Sequence, residues 1–229
     1  MQKLLVSLVV STFGVASANA GIIATAGNFQ VFAPATANYT ASPYNDAAPA
    51  PTHIWVEQTG ITLLLPVVLD TDLANPALQY VIGGPGVGQV AFAPGGGPVV
   101  AAGTRVDVYY SYFDPAGTRG GLGSVTFDTP VLGIIAYTER LPISDFLRVP
   151  GAPYPGVPAF NARGWEETEW GQLSADRRTL TFNALASNPG DQFRIITAAV
   201  PEPASCLLVG LGVAAMAARR RTRRDSARR

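Results

Sequence analysis

Glu166, Glu167 and Glu169 lie between Trp165 and Trp170, and this is the densest chemistry-bearing stretch in the chain. Two carboxylates flanking a glycosidic bond can act as acid and as nucleophile or base. The two tryptophans alone could stack on a sugar ring, which makes Trp165 and Trp170 candidate carbohydrate contacts. A solvated acidic loop bounded by core or rim tryptophans satisfies the same pattern, and it is the preferred reading. Asp70, Asp72 and Asn75 could offer oxygen ligands to Ca²⁺, but the rest of a helix–loop–helix calcium loop is missing. A capped turn is therefore expected there, and no metal site is expected. His53 is the only histidine, and no Gly-x-Ser-x-Gly elbow accompanies it. It is expected at a surface or strand edge rather than in a catalytic triad. The glycine runs at 83–88 and 95–98 lack the Gly-Lys-Ser/Thr of a phosphate loop and read as turns. No catalytic residue and no cofactor are expected, and the chain reads as a non-enzyme.

The segment that must position these side chains is residues 21–200. It holds 21 glycines and 17 prolines, about a fifth of its residues and close to twice the usual share. No long stretch keeps a helical period without one of them. Short β-branched and aromatic runs recur between turn residues instead. Residues 104–113 alternate, with Val106, Val108, Tyr110 and Tyr112 on one face and Arg105, Asp107, Tyr109 and Ser111 on the other. Further strands are expected at 28–32, 53–58, 61–65, 78–82, 89–93, 124–128, 131–137, 179–183 and 192–197. Val125 with Phe127, Leu180 with Phe182, and Phe193 with Ile195 should point inward, the last pair opposite Arg194. Long irregular loops are expected at 33–51 and 150–158. The fold class is all-β: a β-sandwich with jelly-roll or Greek-key-like connections.

The formal net charge is zero, with 16 basic and 16 acidic residues, but the charges are unevenly placed. Residues 1–20 carry +1 from Lys3, the only lysine. Residues 21–200 hold eight arginines and 14 carboxylates, giving −6, and residues 201–229 carry +5. An acidic working domain excludes nucleic acid as a partner. A single cysteine excludes an intrachain disulfide.

Both ends read as addresses. A positive start, the apolar run 4–10 and the small-x-small Ala18-Asn19-Ala20 make a signal peptide over 1–20, cut after Ala20 by signal peptidase. At the other end a Pro201-Glu202-Pro203 edge within a 198–203 linker precedes 15 uncharged residues, 204–218. As a helix that run spans about 22 Å, short of the bilayer core of about 30 Å unless arginines snorkel. It is expected to be a single transmembrane helix. Arg219, Arg220, Arg221, Arg223 and Arg224, within the 219–229 tail, should hold that end in the cytoplasm.

The order Pro-Glu-Pro, apolar helix, arginine tail resembles the PEP-CTERM sorting signal of Gram-negative bacteria, a segment also catalogued as an ice-binding-protein C-terminal domain. The resemblance implies recognition of Pro201, Glu202 and Pro203 by an exosortase, a membrane cysteine protease, after insertion in the inner membrane. It implies an inner-membrane-anchored precursor, then delivery of an all-β domain over 21–197 to the cell surface or extracellular matrix. Exopolysaccharide is a candidate contact there. The alternative expectation is a secreted carbohydrate-binding module using Trp and Tyr platforms.

Overall fold

A computed structural model describes residues 21–32, 44–70, 79–81, 89–91, 97–152, 164–166, 169–186 and 190–199. Its thirteen strands, among the described residues, are β1 (Ile22–Gly27), β2 (Phe29–Val31), β3 (Thr52–Thr62), β4 (Val67–Val68), β5 (Gln79–Val81), β6 (Gln89–Ala91), β7 (Val99–Val100), β8 (Arg105–Phe113), β9 (Arg119–Phe127), β10 (Val131–Ile135), β11 (Trp170–Leu173), β12 (Thr179–Ala186) and β13 (Asp191–Ala198). They form a six-stranded sheet in the order β1-β9-β12-β11-β5-β6, a five-stranded sheet in the order β10-β13-β8-β3-β2, and the pair β4-β7. Only β2–β3 and β5–β6 among these pairs are parallel. The all-β expectation holds.

The burial patterns explain how the sheets are used. In β12 buried and part-exposed residues alternate, as in a sheet with one face in the core. Leu180, Phe182 and Ala184 from β12 and Val125 and Phe127 from β9 meet Ile54, Tyr109, Phe113, Phe193 and Ile195 from the other sheet in one apolar cluster. The five-stranded sheet is buried on both faces: β8 and β13 are enclosed along almost their whole length. On its second face Trp55, Val106, Val108, Tyr110, Tyr112 and Ile196 form another cluster with Leu63, Val67, Leu69, Leu141 and Leu147. The alternation expected in β8 is thus real, yet neither of its faces meets water.

Several boundaries differ from expectation for local reasons. The run 53–58 and the first two residues of 61–65 are one strand, β3, whose register against β8 shifts between Val56 and Gln58 and again before Ile61, while 63–65 lies beyond its end. Gly60 takes φ +59° there, so the extra residues bulge out without ending the strand. Strand β9 begins earlier than expected, because pairing with β1 and β12 on both sides carries its glycine-rich start. Strands β1, β4, β7 and β11 carried no clear alternation and were not foreseen. A short helix α1 (Arg140–Ile143) and a 3-10 turn (Asp145–Leu147) also went unforeseen. Pro142 is tolerated in α1 because a first-turn N–H needs no intrahelical partner.

Among the described residues no helix is long and apolar enough to cross a membrane. The expected transmembrane span 204–218 and the expected signal peptide 1–20 lie outside those residues.

Candidate functional site

The last strand delivers the chain to its exit. β13 pairs with β10 on one side and with β8 on the other, so it is interior to its sheet. Its end is clamped. Ala198 N–H donates to Pro130 O at 3.0 Å, Thr129 Oγ1 donates to Ala198 O at 2.6 Å, and Ala199 N–H donates to Arg105 O at 3.2 Å. The folded body therefore runs to within two residues of Pro201. The start of the described chain is held by the same turn, since Asp128 N–H donates to Gly21 O at 2.7 Å. Both ends of the domain meet at one pole. Ala18, Ala20, Pro201, Glu202, Pro203, Arg219, Arg220, Arg221, Arg223 and Arg224 all lie outside the described residues.

Trp165 has no face free for a sugar. Trp165 is 3% exposed, stacked on Phe182 at 4.5 Å and edge-on to Phe193 at 5.1 Å. Its ring fills the space that a Cβ on Gly171 would need, 2.7 Å from that position, which is why glycine sits in β11. A ring enclosed in this way has no face to offer, so Trp165 is corrected from candidate carbohydrate contact to core residue. Trp170 is half-buried in β11, between Val81 and Asn183. Trp55 is fully buried.

The acidic stretch is divided: Glu166 is exposed, while Glu169 is brought into the fold. Glu169 is completely buried and accepts from Glu166 N–H at 2.9 Å and Leu185 N–H at 3.0 Å. Its carboxyl is hydrogen-bonded to that of Asp191, itself 5% exposed. Burial raises Glu169 to about 7, although these hydrogen bonds hold it down. Burial, then the Glu169 charge beside it, pushes Asp191 far above the usual carboxylate range. The pair shares a retained proton in the way of two carboxyls forced together. Neither residue lines the groove described below, and Glu167 lies outside the described residues.

Arg194 was expected merely to face away from Phe193 and Ile195. It is fully enclosed, with Nε 2.6 Å from Glu57 Oε2 and Nη2 3.1 Å from Glu57 Oε1. Nη2 also reaches Asp145 Oδ1 at 3.2 Å, Nη1 donates to Ser144 Oγ, and the guanidinium lies 5.0 Å from the Tyr110 ring centroid. Burial pulls its pKa down, but the Glu57 carboxylate more than reverses this and the net direction is up. The signal for burial was present in the adjacent Ile195 and Ile196, which need apolar surroundings on both faces of β13. This ion pair ties β13, β3 and the helical turn together.

His53 is likewise inside, not at the surface: it is 3% exposed and stacked on Tyr44 at 3.7 Å. Its Nε2 lies 2.7 Å from Asp46 Oδ2. Burial lowers its pKa, against the pull of Asp46. Asp70 accepts from Ala136 and Tyr137 N–H at 2.8 and 2.9 Å and pairs with Arg140 at 2.7 Å, long-range contacts rather than a cap of its own turn, whose residues 71–75 lie outside the described residues. Burial raises its pKa against those hydrogen bonds. Asp72 and Asn75 lie outside the described residues, and among the described residues no cluster of three or more ligating side chains forms a metal site. A half-open apolar groove of about 490 Å³ runs between Val67 and Val68 on one side and Ile143 and Phe146 on the other. The Arg140 charge in its wall is engaged by Asp70.

Comparison with family models finds a PEP-CTERM protein-sorting motif over residues 199–221. No curated protein and no solved structure matches the chain. The motif starts at Ala199, the last of the described residues. It implies an exported protein sorted by an exosortase through a membrane-anchored precursor.

Proposed function

We propose that this chain, carrying a PEP-CTERM protein-sorting motif, is a non-enzymatic β-sandwich delivered to the cell surface or extracellular matrix in a structural or adhesive role. The observation that carries the reading is the clamped exit. The body is ordered through Ala199, and the motif begins with no spacer domain between them. Cleavage near Pro201-Glu202-Pro203 would release the whole folded unit and remove only the membrane-associated end. Prolines at 201 and 203 disfavour helix and ladder strand, which keeps the peptide extended for a protease.

Among the described residues, five side chains with catalytic potential are spent on folding. Arg194, Glu57, Asp70, His53 and Glu169 are buried and bonded to other protein groups. This supports the non-enzymatic reading. The released domain is acidic, about −6 over residues 21–200. Contact with an anionic exopolysaccharide would then need bridging cations. Signal peptidase removes residues 1–20 on the same reading. Deleting the host's exosortase gene and following the protein by fractionation tests the assignment. Accumulation of the full-length form in the membrane is expected, and unchanged processing would sink it.

A further inference from the structure

The pole from which the chain exits differs from the rest of the surface. Leu63 N–H donates to Thr104 O at 3.0 Å, and Ala199 N–H donates to Arg105 O at 3.2 Å, so the 63–66 turn and the exit flank the same strand end. Leu64 and Leu65 at that turn are 89% and 60% exposed. Exposed Val68 and Val99, paired between β4 and β7, continue the apolar surface, and Ala101 and Ala102 are exposed beside them. Two adjacent exposed leucines at a loop tip leave a large apolar area in water.

Charge is polarised along the same axis. Arg105, Arg177 and Arg178 are exposed at the exit end, where Arg177 O and Arg178 O accept from Val131 and Phe127 N–H. Asp107, Asp128 and Asp176 lie among them, Asp107 buried beside Arg105 and accepting from Gly60 N–H. The opposite end gathers Asp46, Asp114, Glu166, Glu169 and Asp191 against Arg119. The exit end is formally neutral, but all three arginines are exposed while Asp107 is buried and Asp128 half-buried, and that stands out in a domain of net −6.

The distance to a membrane is limited by covalent reach. Residues 200–204 join Ala199 to the apolar run 204–218 and can span no more than about 18 Å. We propose that the exit pole is a membrane-docking surface, with Leu64 and Leu65 entering the interfacial layer of the outer leaflet of the inner membrane and Arg105, Arg177 and Arg178 meeting its anionic headgroups. The proposal rests on the membrane-anchored precursor implied by the sorting motif. Docking would hold the domain upright, its acidic end away from the lipid, while the Pro-Glu-Pro segment awaits cleavage. Such interfacial binding adds apolar insertion to headgroup attraction.

The test uses the full chain in vesicles of phosphatidylethanolamine and phosphatidylglycerol. In a Cys206→Ser background, Leu64→Cys or the distal, exposed Thr118→Cys carries an environment-sensitive fluorophore, and spin-labelled lipid is the quencher. Loss of emission at position 64 with none at 118 is the expected result. Equal emission at the two positions in carbonate-resistant, anchored protein overturns docking and leaves the anchor intact. Protein that carbonate extracts, yet floats with vesicles and is quenched at 64, supports docking and removes the anchor. Protein that does not float overturns both. Quenching at 64 should weaken in purely zwitterionic vesicles, and undiminished quenching there overturns the role given to the arginines.

Discussion

Asp191→Asn should make the domain less sensitive to alkali, and by an amount that can be worked out. In the native state Asp191 keeps its proton past neutrality because burial and the adjacent Glu169 disfavour its charge. In the unfolded chain it ionises near the ordinary aspartate value. Between those limits the native state binds one proton more, so stability falls as pH rises. The slope is about 1.4 kcal/mol per pH unit for one proton. From about pH 4 to about pH 7 the cost grows to about 4 kcal/mol. An asparagine amide can donate permanently to Glu169, and Asp191 Oδ2 leaves no bonded partner behind. The variant and the parent should therefore be of similar stability near pH 4, and the variant should gain steadily above it. Thermal unfolding followed by near-ultraviolet circular dichroism, which reads the buried tryptophans, should show a gap of about 8–16 °C at neutral pH. Melting temperatures that move in parallel across this range would refute the retained proton.

The other expectations concern packing and sorting. Arg194→Leu takes the guanidinium away from the buried Glu57 carboxylate and should cost about 3–5 kcal/mol in chemical denaturation, with part recovered by adding Glu57→Gln. Trp165→Ala should cost about 3–5 kcal/mol while leaving any polysaccharide retention of the still-folded protein unchanged in affinity electrophoresis. A Cβ at Gly190 would lie 1.8 Å from Phe113 O, so Gly190→Ala should lower the denaturation midpoint by moving backbone, where Gly117→Ala in open space is limited to its φ of +78°. Replacing Pro201 and Pro203 with alanine should leave the melting temperature unchanged and stop processing, seen as a full-length band on immunoblots.

The strand content was legible because alternation is local. Val125 with Phe127 and Leu180 with Phe182 lie inward as their spacing requires. What stayed hidden was which second faces are also covered. Arg194, His53 and Glu57 sit in strands whose outer side is roofed by distant segments, and a charged residue at an alternating position reads as solvent-facing until that roof is known. Trp165 left two readings open for a related reason, and the preferred one, a core tryptophan, holds. Beside three glutamates it could also have been a sugar platform, and what decides is Phe182 and Phe193, far along the chain. The carboxyl pair was half visible, since Glu169 stood out but Asp191 had no sequence cue to join it. The sorting motif was the most legible feature, because Pro-Glu-Pro, apolar run and arginines are contiguous and need no tertiary partner.

Mass spectrometry of the C-terminal peptide of the exported protein tests the central claim most directly. A terminus at or beside Pro201-Glu202-Pro203, with the 204–229 segment absent, is the predicted result. An exported protein that still ends at Arg229 would contradict it.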